Sequence, residues 1–276
     1  PRKTSSQKAG LCYNFRVANT FTKVGNIMND STHPGNGWNV SDIRGPRKIR
    51  AVLFDLDGTL IDSEENHYES DRILLARRGI IFSRKEKAAY VGKDINEMVR
   101  RVKANYGLSE DEQALIDEKN ALYRNIALKS SRLYPAMRDV LNELAFRKVP
   151  MAVATGSNAS IAREILESLG VNKYFAHIVS SSEVSHGKPA PDIFLEAAHR
   201  INTDPSAILA FEDTLYGVEA ALSAGMLCVA LLSDRNSMNA LLAKKVDYLV
   251  AGGPDALDTE DLFRWMGAFL RPNNVS

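Results

Sequence analysis

Six short apolar runs with almost no polar alternation restrict the fold of this chain more than anything else in it: residues 50–54, 151–154, 177–180, 207–211, 227–232 and 248–250. Strands apolar at successive positions are buried on both faces, as in a parallel sheet covered by helices on each side. Between the later runs, residues 161–169, 192–199, 215–224 and 238–244 carry helical periodicity. The pattern predicts an α/β protein with a doubly wound, Rossmann-like parallel sheet. One interval breaks the alternation: about a hundred residues separate the first run from the second, too many for a loop. That interval is helical over 65–77, 94–105, 109–128 and 137–147, with Gly79, Gly92 and Gly107 as breaks. It predicts an inserted α-helical cap over residues 66–132, an α/β core from residues 48–65 and 133–253, and a C-terminal helix and tail over 254–276. From Asp261 to Leu270 apolar residues recur at helical spacing, a face expected to pack on the core.

Composition narrows the partners. With 276 residues, 45% of them hydrophobic and 25% charged, the chain has the make-up of an ordinary globular protein. Its net charge of +1 leaves no global field to recruit nucleic acid or an anionic membrane. The longest apolar stretch, Met226 to Leu232, is far shorter than the ~18–20 residues of a membrane span. Neither nucleic acid nor a membrane is an expected partner, and a monomer or weak homo-oligomer is expected. Two cysteines, Cys12 and Cys228, make a disulfide framework improbable and point to a reducing, cytoplasmic compartment. Residues 1–47 are rich in Ser, Thr, Asn, Gly and basic side chains, with no acid before Asp30. They read as a disordered leader, with an organelle-targeting segment or an expression remnant as the alternatives.

Four motifs carry chemistry, each following an apolar run. The first run delivers Asp55-Leu56-Asp57-Gly58-Thr59 to the carboxyl edge of the sheet, where open α/β sheets bind ligands. Two carboxylates so close repel each other, which a bound cation or a shared proton resolves. A solvated Asp-Gly turn is the plain alternative. The second run ends in Thr155-Gly156-Ser157-Asn158 ahead of a helix, a place suited to phosphate, though Ser157 or Asn158 there is equally a helix cap. Next, prolines stiffen the backbone around one lysine in Gly187-Lys188-Pro189-Ala190-Pro191-Asp192-Ile193-Phe194, which suggests an ammonium aimed at an anion rather than a solvated surface charge. Finally, residues 207–211 deliver Glu212-Asp213-Thr214, hard oxygen ligands of the kind Mg²⁺ takes, or else an acid pair at a helix start. Adjacent residues point apart, so one direct ligand and one supporting group are expected of the pair. The formal glycan acceptor Asn158-Ala159-Ser160 sits beside this edge, where a glycan would obstruct substrate.

In this order the four motifs resemble the haloacid dehalogenase superfamily, in its phosphatase and phosphomutase branch with a helical cap. The resemblance spans about Lys48 to Val250 and includes similarity to β-phosphoglucomutases at Asp62-Ser63-Glu64-Glu65-Asn66-His67. It implies Asp55 as nucleophile, Asp57 as general acid and base, and Thr155 with Lys188 on the transferring phosphoryl group, beside Gly156 and Ser157. It implies Mg²⁺ on the Asp55 carboxylate, the Asp57 carbonyl and Asp213, with Glu212 assisting. The superfamily's dehalogenases lack the second Asp of the first motif, so Asp57 argues against that activity. The cap turn Val91-Gly92-Lys93-Asp94-Ile95 departs from the mutase pattern, which places a phosphatase of small, sugar-type phosphorylated metabolites ahead of a mutase. Arg100 or Arg101 is where a compensating cap cation would sit. His67 is expected to reach substrate from the start of the cap, and Lys93 from the cap turn, each against the alternative of a plain surface side chain. A signalling receiver uses similar groups but is smaller and lacks the insert. An ion-pumping ATPase would need membrane helices, and a silent binding protein would not need every charged position filled.

Overall fold

The computed structural model describes residues 48–90, 95–233, 237–238, 246–267 and 269–270. The leader, Lys93 and nearly all of the helix expected at 238–244 lie outside the described residues.

β1 (Ala51–Phe54) is buried at every position. Val52 and Phe54 point into one apolar cluster, Ala51 and Leu53 into another on the opposite face, the period-2 geometry of a doubly covered strand. After β1 the chain forms the short strand β2 (Ile61–Asp62), then helices α1 (Glu64–Ala76), α2 (Arg84–Lys87), α3 (Ile95–Tyr106) and α4 (Glu112–Ser130), and returns through β3 (Arg132–Leu133). β2 and β3 pair antiparallel, Ile61 opposite Leu133 and Asp62 opposite Arg132. The four helices have their own buried cluster, built on Leu74, Leu75, Phe82, Met98, Val102 and Leu115, separate from those of the sheet. Ser83 with Glu86 closes a capping box on α2, and Asp111 caps α4 through the Ala114 N–H at 3.1 Å. Asn66 donates to Ser131 Oγ at 2.9 Å and accepts from Ser130 Oγ at 2.7 Å, tying the start of α1 to the end of α4. We take this neck and the β2–β3 ribbon as the boundary between core and cap.

The remaining chain alternates: α5 (Pro135–Phe146), β4 (Met151–Thr155), α6 (Ala159–Ser168), β5 (His177–Ser180), α7 (Asp192–Arg200), β6 (Ile208–Glu212), α8 (Leu215–Ser223), β7 (Leu227–Leu232), β8 (Tyr248–Ala251) and α9 (Thr259–Gly267). The six core strands are parallel in the order β5-β4-β1-β6-β7-β8, the doubly wound sheet that the apolar runs predict. One sheet face is rich in alanine, with Ala152, Ala154, Ala210 and Ala230 buried against Ala197 and Ala198 of α7 and Ala220 and Ala221 of α8, so backbones approach closely there. The other face holds bulkier groups, including Phe54 stacked on Phe211 with centroids 4.8 Å apart. α9 lays Leu262 and Met266 into this second cluster, as its spacing predicts. Among the described residues no helix is long and apolar enough to cross a membrane.

Candidate active site

From β1 the chain winds outward to β4 and β5 on one side and to β6, β7 and β8 on the other. The winding therefore reverses at β1 and β6, and ligands of open α/β sheets bind at the carboxyl ends of strands at such a reversal. Phe54 pairs in register with Phe211, so the residues that follow them, Asp55 and Glu212, emerge side by side. Lys188, from the loop ahead of α7, donates to Asp55 Oδ1 and to Glu212 Oε1, both at 2.5 Å, and to the Ala154 carbonyl at 3.2 Å. All three charged side chains are nearly or fully buried. Burial works against the Lys188 charge, but Asp55 and Glu212 outweigh it and hold the ammonium above its ordinary range. Burial pushes Asp55 up to about 8, with Lys188 opposing and the charge of Glu212 adding.

Glu212 is fully engaged. Its second oxygen accepts the N–H groups of Asp213 at 3.0 Å and Thr214 at 3.1 Å and the Thr214 hydroxyl at 3.2 Å, at the start of α8. A side chain at Gly217 would place its Cβ 1.9 Å from this carboxylate, which accounts for glycine in the first turn of α8. Asp213 is engaged on one side, where Thr59 Oγ1 donates to Oδ1 at 3.1 Å. Its Oδ2 faces Gly58, where a Cβ would fall 2.1 Å away and where φ is +82°; both facts favour glycine in the Asp-Gly turn. Burial, then the charges of Glu212 and Asp55, push the Asp213 carboxyl well up. Carboxylate oxygens of Asp55, Glu212 and Asp213 lie within 4.8 Å of one another, facing one ammonium. Crowded hard oxygens with surplus negative charge suit a divalent cation. Of the acid pair, Asp213 has the freer oxygen.

Asp57 belongs to a different network. Its Oδ1 accepts from Tyr123 Oη at 2.5 Å and lies 3.1 Å from His67 Nε2, and its Oδ2 accepts from Ser157 Oγ at 2.6 Å. Burial alone would raise this carboxyl, yet the His67 charge and the three donors outweigh it and hold Asp57 well below the usual carboxylate range. His67 and Tyr123, from cap helices α1 and α4, stack with centroids 4.1 Å apart. His67 lines the cavity, as its position in the sequence suggests, and it also grips the proposed acid and base. Tyr123 is missed by sequence reasoning, because a buried tyrosine at helical spacing reads as core.

Thr155 is fully buried at the end of β4 and its Oγ1 accepts the Ser157 N–H at 3.0 Å, so it sits beneath the turn. Asn158 caps α6 by accepting from the Ser160 and Ile161 N–H groups, which leaves the Ser157 hydroxyl for Asp57. Gly156, Ser157, Lys188, Asp55, Asp57 and Asp213 all line one cavity of about 510 Å³ that extends up to the cap.

The fold and this edge define a doubly wound α/β protein with a helical cap over an acidic, lysine-bridged site. The profile of the haloacid dehalogenase-like hydrolases matches residues 52–231. The chain is 35% identical over 179 residues to the fructose-1-phosphate phosphatase of Escherichia coli, covering 65% of this chain and 94% of that one. It is 30% identical to the phosphorylated carbohydrates phosphatase of Thermotoga maritima, covering 64% and 82% respectively. In structure it is similar to the β-phosphoglucomutase of Clostridium difficile, with a TM-score of 0.68 at 23% identity, over 80% of this chain and 98% of that one. The chain belongs to the haloacid dehalogenase-like hydrolase family. Within it the chain is a phosphatase.

Proposed function

We propose that this phosphatase hydrolyses small, sugar-type phosphate monoesters through an aspartyl-phosphate on Asp55, with Mg²⁺ at the Asp55–Asp213 cluster. The observation that carries the reading is the buried Asp55–Lys188–Glu212 bridge beside Asp213, at the reversal point of the sheet. Relatives that act on fructose 1-phosphate and on phosphorylated carbohydrates support the substrate class. Asp55, the Asp57 carbonyl and Asp213 would hold Mg²⁺, with Glu212 steadying Lys188. When bound, the ion offsets the charge of the phosphate dianion and keeps Asp55 ionised. Asp55 attacks phosphorus in line as the ester oxygen leaves. Lys188 lies against the transferring group, and the Thr155–Ser157 turn positions it. Asp57 gives a proton to the leaving alkoxide and then takes one from the water that opens the acyl phosphate. In the conformation seen here three donors keep Asp57 anionic, the form the second step needs. Loading it for the first step requires them to release it, as when Ser157 turns toward bound phosphate. Cys228, free and buried, is in keeping with a reducing, cytoplasmic setting.

Phosphate release from a panel of sugar phosphates, with and without Mg²⁺, tests the reading; activity should vanish in excess chelator, and full activity there removes the metal. Asp57→Asn should lower kcat on the order of 10²-fold or more, and unchanged kinetics would move the proton transfer elsewhere. Given β-glucose 1-phosphate and a bisphosphate primer, the enzyme should release phosphate, and rapid formation of glucose 6-phosphate instead would promote the mutase alternative.

A further inference from the structure

Beyond the catalytic edge, the cap holds a second buried charge cluster. Asp71 of α1 is completely buried and meets two lysines: Lys87, at the end of α2, donates to its Oδ2 at 2.6 Å, and Lys119 of α4 lies 2.5 Å from its Oδ1. The lysine side chains are only 12% and 8% exposed. Two ammonium groups share one carboxylate, leaving a surplus positive charge in a poorly solvated place, which is costly until an anion arrives.

The geometry shows where that anion would come from. Asp71 faces inward and does not line the cavity above Asp55, whereas Lys87 and Lys119 both do. A lock serving only to join α1, α2 and α4 needs one cation per carboxylate and no access to the cavity. Lys119 otherwise donates to Met98 Sδ at 3.8 Å, a weak acceptor, so donors remain for a ligand. Burial depresses the Lys119 ammonium and the neighbouring Lys87 charge adds to this, with Asp71 and, more weakly, Asp57 opposing; an added anion would favour the charged form further. Asp117, the exposed acid two residues earlier on α4, also lines the cavity but is engaged by Gln113 Nε2 at 2.8 Å. The arginines expected from sequence to supply a cap cation do not serve: Arg100 and Arg101 are exposed and absent from the cavity lining, with Arg101 paired to Glu97 at 2.7 Å.

We propose that Lys87 and Lys119, held by Asp71, form an anion subsite in the cap wall, so that the enzyme prefers phosphate monoesters carrying a second phosphate or a carboxylate. The proposal rests on the phosphatase reading above and specifies its substrate class. Asp71 competes internally for the two ammonium groups, so removing its charge strengthens the subsite and removing a lysine weakens it.

The test measures kcat/KM of the full chain with Mg²⁺ on two matched pairs, fructose 1,6-bisphosphate against fructose 1-phosphate and 6-phosphogluconate against glucose 6-phosphate. We expect at least a tenfold preference for the doubly anionic member of one pair or both, the pair distinguishing phosphate from carboxylate. Lys87→Gln should cut that ratio at least fivefold, and Asp71→Asn should raise it. Each ratio is taken on a single preparation, so partial misfolding of a variant cancels. No preference in either pair, or both variants moving the ratio the same way, overturns the subsite. Hydrolysis of p-nitrophenyl phosphate with none of the four sugar phosphates cleaved also overturns it. Phosphate release from neither p-nitrophenyl phosphate nor any of the four sugar phosphates sinks the phosphatase reading and the subsite together.

Discussion

Asp55→Asn should abolish phosphate release, lowering kcat by a factor on the order of 10⁴ or more, as expected for removing a nucleophile. An amide oxygen is a poor nucleophile toward phosphorus and a weak partner for a divalent cation, so both proposed roles are lost at once. The fold should survive, because the amide is nearly isosteric and its oxygen still accepts from Lys188 where Asp55 Oδ1 does now. Single-turnover assays with labelled substrate would show no label trapped on the chain, while the melting temperature stays within a few degrees of the parent. Near-normal turnover by this variant would end the assignment of Asp55.

Lys188→Met is expected to damage both stability and activity. It leaves Asp55 and Glu212 buried with no cation between them, and removing one partner of a buried ion pair costs ~3–5 kcal/mol. For a chain of this size that corresponds to a fall of roughly 10 °C in melting temperature. Carboxyls whose folded pKa lies above the unfolded value cost stability as pH climbs. Asp55 is already pushed up to about 8 with Lys188 present, so parent and variant share its cost below that pH and the deficit should widen as pH rises past 8. Turnover should fall at every pH, since the transferring group loses its ammonium. A variant as stable as the parent at pH 8 would show that the bridge contributes nothing to the fold.

Much of this architecture follows from local sequence alone. Asp55, Thr155 and Glu212 each stand at or next to the end of a buried strand, and parallel strands carry such residues to one edge whatever the loops do. Connectivity thus brings the catalytic edge together, and the apolar runs announce the strands. The apolar face of residues 261–270 likewise predicts its own packing. What remained hidden depends on contacts between segments with no shared local pattern. The β2–β3 ribbon is two residues long on each side, too short for a periodicity to register. Tyr123 meets Asp57 across 66 positions and Lys119 meets Asp71 across the cap. In the sequence they are an aromatic and a lysine at ordinary helical spacing, and only the packing of α4 against α1 sets them beside those carboxylates. Which acid keeps an uncovered oxygen and which steadies a lysine was also a tertiary matter. Adjacent in the chain, Glu212 and Asp213 differ because the start of α8 and Lys188 take up both Glu212 oxygens, while Gly58 leaves one oxygen of Asp213 uncovered.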